Sequence, residues 1–506
     1  MTFLLALDVG TTSVKAGMFQ PDGRCLATAL QEYALLSNSP EQAELEPMTY
    51  WKAATETIRQ VVAQANVDVT QVVGLAVSSQ GETTIALDAE GNPLRNALVW
   101  LDNRATRQAE KLKGILGEEV YERTGIPDVV ATWPACKVLW IKENEPELFA
   151  RIAKFVLVQD YLVYRLSGRY VTDGSISCTS LFYDIISHDW WPEALQAVGI
   201  DAIYLPELLP VGSVAGNLTP EAAAELGLTT QTKVVLGGMD QAVGAIGAGN
   251  FDPGVISETT GAALAIQVSI HEPMIDKTKH TPVYVHSVPD EYLFVPVCPT
   301  AGMAFKWFKD QFGGVETAQA AREGTNPYEL LNRLAESIPP GSDGLVMLPH
   351  LMGAFSPEIN PAARGVFSGF TLHHGRGHFV RAIQEGVAFM LRRNLELIVF
   401  SGTEINEVRT TGGGSRGKLW NQIKADVCNL PFVTLLNEDT ALVGDAILAG
   451  VACGVFDSAS KGVEAMVRVN EKITPGKNVA AYEAAYQRYC ELDGSLADYF
   501  KRNYSS

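Results

Sequence analysis

Four short stretches of this chain combine residue types that could do phosphate, carbohydrate or nucleotide chemistry. In Asp8-Val9-Gly10-Thr11-Thr12-Ser13-Val14-Lys15 a carboxylate ends an apolar run and a hydroxyl-rich turn follows. N–H groups exposed in such a turn make a concave anion site, to which the hydroxyls add donors and Lys15 adds charge. Asp8 could hold Mg²⁺ directly or through water, because Mg²⁺ takes one or two carboxylates and keeps several waters. An ordinary hairpin turn would use the same residues, and no GxxxxGK[ST] loop occurs here. The second stretch, Gly237-Gly238-Met239-Asp240-Gln241, runs on into AVGAIGAG. Asp240 stands where a strand gives way to a helix. It reads either as a helix cap or as a general base, with the glycines letting a substrate approach the backbone and the Gly/Ala face letting the helix pack closely.

The third constellation is Ser78-Ser79-Gln80-Gly81-Glu82-Thr83-Thr84 with Val99-Trp100-Leu101-Asp102-Asn103-Arg104. Amide and carboxylate groups hydrogen-bond hydroxyls, and an indole covers apolar C–H faces, so Gln80, Gly81, Glu82 and Trp100 suit a polyhydroxylated ligand. A surface loop with an incidental Trp is the bland alternative. The fourth, Thr410-Thr411-Gly412-Gly413-Gly414-Ser415-Arg416-Gly417, satisfies GxGxxG between a strand and a helix with Leu419, Ile423 and Val427 on one face. A second strand then ends near Glu438 and Asp439. That is close to a dinucleotide-binding unit, and a glycine platform for an adenine would use the same residues. His374 and His378 share a helical spacing but lack a third ligand, which points to a surface or capping role and not to zinc.

The elements that must position these residues are legible too. Phe3 to Leu7 reads as a buried strand and Ser13 to Phe19 as its hairpin partner. Trp51 to Ala65 reads as a helix. Val72 to Ser78, Ile85 to Leu87 and Val234 to Leu236 read as strands. Lys154 to Leu166 reads as a helix closed by Gly168. The stretch GAIGAGNFDPG, from Gly244 to Gly254, is the best boundary, ending in a turn signal. Beyond it Val255 to Val268 repeats the layout of the N-terminal hairpin, with Thr259-Thr260 in place of Thr11-Thr12. Tyr482, Tyr486 and Tyr489 form an aromatic stripe that packs a terminal helix.

A chain of 506 residues exceeds one ordinary core and implies about two to four domains. A hydrophobic share of 47% excludes wholesale disorder. The net charge of −19 sets nucleic acid and anionic membranes aside as partners. Seven scattered cysteines without a CxxC pair suggest a reducing, cytoplasmic location. No run approaches the roughly 18 apolar residues of a membrane span, and MTFLLALDVG lacks a basic leader region.

Taken in order, DVGTTSVKAGMF, QGETTIALD, ALVWLDNRA, CKVLWIKEN, DYLVYRLSG, GGMDQAVGAIGAG, SETTGAAL, NPAARGVFSGFTL, HFVRAIQEGVAF, TTGGGSRGKLWNQIKAD and EDTALVGDAILAG resemble the FGGY family of carbohydrate kinases. The family has the actin-like ATPase fold that hexokinase shares. The resemblance implies an α/β fold of two actin-like (ribonuclease H-like) domains with a cleft between them. Residues 1–249 would bind the sugar and carry the first phosphate loop, and residues 250–506 would bind the nucleotide. Asp240 would be the general base, with Gln241 beside it. Thr11, Thr12, Ser13 and Lys15 match the first phosphate loop, and Thr260 and Gly261 the second. Gly302 matches a further nucleotide contact, Gly413 and Gly417 the adenine platform, and Asp8 the acid near Mg²⁺. The implied reaction is transfer of a phosphoryl group from Mg·ATP to a hydroxyl, which turns the GxGxxG reading away from NAD.

Departures from the family pattern bear on the substrate. After the Gln, glycerol kinases carry Arg-Glu and xylulokinases Met-His, whereas this chain has Gly81-Glu82. Thr132 replaces the aromatic that glycerol kinases use for the polyol. The second phosphate loop reads Thr259-Thr260 in place of Gly-Thr, and Gly353 is followed by Ala354-Phe355 in place of Glu-Arg. Loss of the Arg argues against glycerol, and Gly81 is expected to leave room for a longer ketose or polyol, with xylulose leading. A polyol kinase of the same family, a nicotinamide oxidoreductase and a non-catalytic actin-like sensor are the alternatives. A homodimer is compatible with the sequence, which carries no oligomerisation signal.

Overall fold

In the computed structural model, residues 2–251, 254–273, 281–400 and 402–504 are described. They fall into two compact units. The first comprises Met1–Gly249, Ser269–Phe294 and Asp439–Arg468, and the second Asn250–Val268, Val295–Glu438 and Val469–Ser506. A single cut near residue 250 therefore does not describe the packing, because two later excursions return to the first unit. Asp252 and Pro253 of the expected boundary turn lie outside the described residues.

The first unit is built on a six-stranded sheet. Its strands are β1 (Phe3–Val9), β2 (Ser13–Phe19), β3 (Cys25–Glu32), β4 (Val72–Ser79), β5 (Val214–Asn217) and β6 (Lys233–Met239), in the order β5-β6-β4-β1-β2-β3. The expected hairpin is present, with Asp8 opposite Lys15. β1, β4 and β6 run parallel. Helix α1 (Pro47–Ala65) packs on β2 and β3. Phe3, Leu5, Leu7 and Val9 join its Trp51, Ile58 and Val61 in one core. Leu4 and Ala6 fall on the other face and are also fully buried. Coverage of both faces is why β1 reads as a continuous apolar run and not as an alternation. Helix α2 (Asp240–Ala248) leaves β6 directly.

The second unit repeats this plan. Its strands β7 (Val255–Thr260) and β8 (Leu264–Ile270) form a hairpin. β7 then pairs in parallel with β9 (Glu407–Thr411), and β9 with β10 (Phe432–Leu435). Helix α3 (Lys418–Cys428) connects these two. Hairpin plus two parallel strands is the pattern of β2, β1, β4 and β6. Helix α4 (Thr440–Ala452) belongs to the second excursion and packs on β1, β4 and α2 of the first unit. Gly247 of α2 and Gly444 of α4 make this contact close. A Cβ on Gly247 would lie 1.8 Å from Thr440 O, and one on Gly444 2.0 Å from Val243 O. In the C-terminal helix, Tyr482, Tyr486 and Tyr489 are buried against Phe389.

One expected element differs. Lys154–Val156 is a strand paired with Ile85–Leu87, and only Val158–Ser167 is helical before Gly168. Backbone pairing offered by a neighbouring strand outweighs local helical periodicity there.

Candidate active site

β1, β4 and β6 end level with one another, Val9 beside Ser79 and Ser79 beside Met239. Residues that follow the three ends therefore share one edge, the carboxyl end of parallel strands where α/β sheets place ligands. From β1 comes the turn Gly10–Thr12. Gly10 N–H donates to Ser13 O at 2.9 Å, Tyr33 N–H to Thr12 O at 2.9 Å, and Tyr33 OH to Gly10 O at 2.5 Å. Thr12 is left exposed. Trp100 Nε1 donates to Thr11 Oγ1 at 2.8 Å, joining the third constellation to the first. Lys15 is paired with Asp439, the residue before α4.

Four acids gather at this edge. Asp240 is the first helical residue after β6, and its Oδ1 accepts the Gln241 N–H at 2.7 Å. It thus makes a local cap-like bond, while Met239 holds the cap position itself. Burial raises the Asp240 carboxyl to about 8, and the charges of Asp8 and Glu82 push the same way. Asp8 is raised to about 6 by burial, which Lys15 opposes. Asp8 Oδ1 is buried without a hydrogen-bond partner. Asp445 of α4 accepts from Ser78 Oγ at 2.7 Å and is raised well above the ordinary carboxylate range by burial. Glu82 is raised by burial, opposed by Lys137. Lys137 Nζ donates to Glu82 O at 3.0 Å and Val99 O at 2.9 Å. Hard carboxylate oxygens around an orphaned Asp8 oxygen suit Mg²⁺. Asp445 was not singled out from the sequence. The only trace of it is an acid in the interior of an otherwise apolar helix.

Two expectations about glycines are corrected. Gly81 opens no extra space. A Cβ there would lie 2.9 Å from Thr179 Oγ1, and Thr179 is fixed by donating to Ile176 O at 2.7 Å. Nor do Gly237 and Gly238 clear a path for substrate to the backbone. A Cβ on Gly237 would lie 2.4 Å from Asp445 Oδ1, and one on Gly238 2.4 Å from Ser287 Oγ. Gly238 also has φ of 96°, in the left-handed region. Gln80 is buried, its Nε2 donating to Tyr50 OH at 3.0 Å, with Oε1 lacking a partner. Tyr284, from the Ser269–Phe294 excursion, lies within electrostatic range of Glu82 and Asp240. It carries no motif signal and was missed.

In the second unit, Thr260, Gly261, Gly302, Gly413 and Gly417 all line one cavity of about 450 Å³, within the range of small-molecule sites. Gly302 N–H donates to Gly261 O at 2.9 Å, and a Cβ on Gly302 would lie 2.3 Å from the same oxygen. Asn326, Tyr328 and Trp420 are among the further residues of its wall, and no sequence motif marks them. The structure does give His378 an acidic neighbour, Asp343, at 3.2 Å. However, His378 Nδ1 accepts the Gly375 N–H at 3.1 Å, which leaves the ring proton on Nε2 to donate to Asp343. That is a capping bond, but His373 Nε2 also approaches Asp343, at 3.6 Å, so a group of three potential ligands exists where the sequence offered no third.

Among the described residues no helix is long and apolar enough to cross a membrane. Residues 3–247 match the N-terminal domain of the FGGY family of carbohydrate kinases, and residues 260–453 match its C-terminal domain. The chain is 31% identical to a xylulose kinase of Bacillus subtilis over 97% of its own length and 96% of that protein's. It is 30% identical to a gluconokinase of the same organism, over 90% of this chain and 89% of that one. The structure resembles a ligand-bound xylulose kinase from Lactobacillus acidophilus, with a TM-score of 0.89 at 25% identity over 99% of this chain and 100% of that one. An acid-lined strand edge in one unit, a glycine-lined cavity in the other and these matches across both halves lead to one assignment: the chain belongs to the FGGY family of carbohydrate kinases, on the two-domain actin-like ATPase fold.

Proposed function

We propose that this chain transfers the γ-phosphoryl group of ATP to a hydroxyl of a small neutral sugar or polyol, with a ketopentose such as D-xylulose as the lead substrate. Asp240 carries the reading. It heads α2 at the carboxyl edge of the parallel strands, and its carboxyl is raised to about 8. A base poised near the working pH accepts the proton of an attacking hydroxyl, and such a base is typically worth about 10²–10⁴-fold. The substrate oxygen attacks the γ-phosphorus, the bond to the β-phosphate oxygen breaks, ADP leaves and Asp240 takes the proton.

On this reading residues 1–249, with the two later excursions that return to them, form the sugar domain with the first phosphate loop, and the rest of residues 250–506 forms the nucleotide domain. Gln241 and the orphaned Gln80 Oε1 orient the sugar with Glu82, the Gly81 backbone and Trp100. Thr11, Thr12, Ser13 and Lys15 hold phosphate, as do Thr260 and Gly261. Gly302, Gly413 and Gly417 seat the nucleoside. Asp8 would hold Mg²⁺, which offsets charge on the phosphates when bound.

The relatives name both a ketose and a sugar acid as substrates. A neutral ligand is favoured here because a substrate carboxylate would face Asp240 and Glu82, while the Lys137 ammonium beside them is already engaged by the Glu82 and Val99 carbonyls. The absence of an Arg after Gln80 favours a ketose over glycerol. A panel of ketopentoses, polyols, glycerol and D-gluconate with coupled ADP detection tests this. The highest kcat/KM is expected for a ketopentose. Preference for glycerol or gluconate would overturn the substrate, and no ADP with any member would overturn the activity.

A further inference from the structure

The strand that leads into the nucleotide cavity carries one partner of a buried ion pair. Glu258 of β7 and Lys424 of α3 are both wholly inaccessible, with Oε1 and Nζ 2.6 Å apart. Lys424 also donates to Thr260 Oγ1 at 2.8 Å and to Thr410 Oγ1 at 3.3 Å. Thr260 in turn donates to Glu258 Oε2 at 2.7 Å, and the Thr410 hydroxyl donates to Glu258 Oε1. Thr411 Oγ1 donates to Glu258 O at 3.1 Å and bonds Thr259 Oγ1 at 2.8 Å. The parallel register that sets Glu258 beside Thr410 and Thr259 beside Thr411 makes this lattice possible.

A buried ion pair adds little net stability over apolar side chains of similar volume, so stability does not account for it. Its geometric effect is specific. Thr260 is gripped from two sides immediately before Gly261. The Gly261 carbonyl accepts the Gly302 N–H, and Gly414 packs so tightly on Thr260 that a Cβ there would lie 2.5 Å from Thr260 Cγ2. All four of these residues line the cavity.

We propose that Glu258 and Lys424 are positioning residues for the nucleotide, holding Thr260 and the Gly261 turn in the conformation that receives the phosphates of ATP. The inference rests on the nucleotide reading of that cavity. The test is the double variant Glu258→Leu/Lys424→Met in the full chain, which removes both charges and leaves neither unpaired. With ATP varied at saturating sugar, KM for ATP is expected to rise about tenfold, the equivalent of one charge-assisted hydrogen bond. KM for the sugar should stay within about twofold, because the same bond contributes nothing there. Thr410→Val takes away one link without exposing a charge. It should raise KM for ATP about two- to threefold, and it serves if the double variant does not fold. Variants that keep the wild-type KM for ATP, or that raise both KM values together, overturn the positioning role alone. A wild type without ATP-dependent turnover overturns the functional reading as well.

Discussion

Asp240 is protonated below about pH 8 in the free protein, and it becomes a base only above that. Two consequences follow from one shift. The rate should rise with pH up to about 8 as the carboxylate forms. Stability should move the other way. An acid whose folded pKa is raised binds its proton more tightly folded than unfolded, so stability falls as pH climbs from 3.8 through about 8. Asp240→Asn is therefore expected to lower kcat by about 10²–10⁴-fold while ATP still binds. It should also flatten the dependence of Tm on pH across that window. Near wild-type turnover in this variant would exclude Asp240 as the base. Asp240 was readable from the sequence because a strand end, two glycines and an acid are all local signals. Its altered proton affinity was not, since that comes from burial beside Asp8 and Glu82.

At the scale of elements, the contact of α2 with α4 holds Asp240 in place. The Gly/Ala composition of AVGAIGAG anticipates a close helix contact, though not its partner nearly two hundred residues further along the chain. A methyl on Gly247 would meet the Thr440 carbonyl at 1.8 Å. Gly247→Ala should thus cost about 1–3 kcal/mol in urea unfolding. It should also lower kcat by tilting the helix that carries Asp240. An unchanged midpoint and an unchanged kcat would show that the helices are free to separate. The glycines at 81, 237 and 238 teach the converse. Each was assigned to ligand space, yet each is filled by protein, because a glycine signals close approach without saying what approaches.

For the whole molecule, the net charge of −19 opposes an anionic nucleotide over long distances. Raising ionic strength from about 0.01 M to 0.15 M shortens the screening length from about 30 Å to 8 Å. Nucleotide association, followed by stopped-flow fluorescence, should accelerate modestly over that range. A rate that falls with salt would mean that the local field at the site is positive. The two hairpins, the doubled plan of strands and the glycine-rich turn after β9 were legible in the sequence. Turns, periodicity and small-residue spacing are properties of neighbouring positions, and a linear reading captures them. Other relations were decided only in three dimensions. Ser78 meets Asp445 across 367 positions, Lys424 meets Glu258 across 166, and two excursions return to the first unit. Strand register and crossover connections bring these residues together, and no local pattern encodes which distant strand will lie alongside. The sequence by itself therefore determined the family, while the tertiary structure decided which acids share a field and what fills the space beside each glycine.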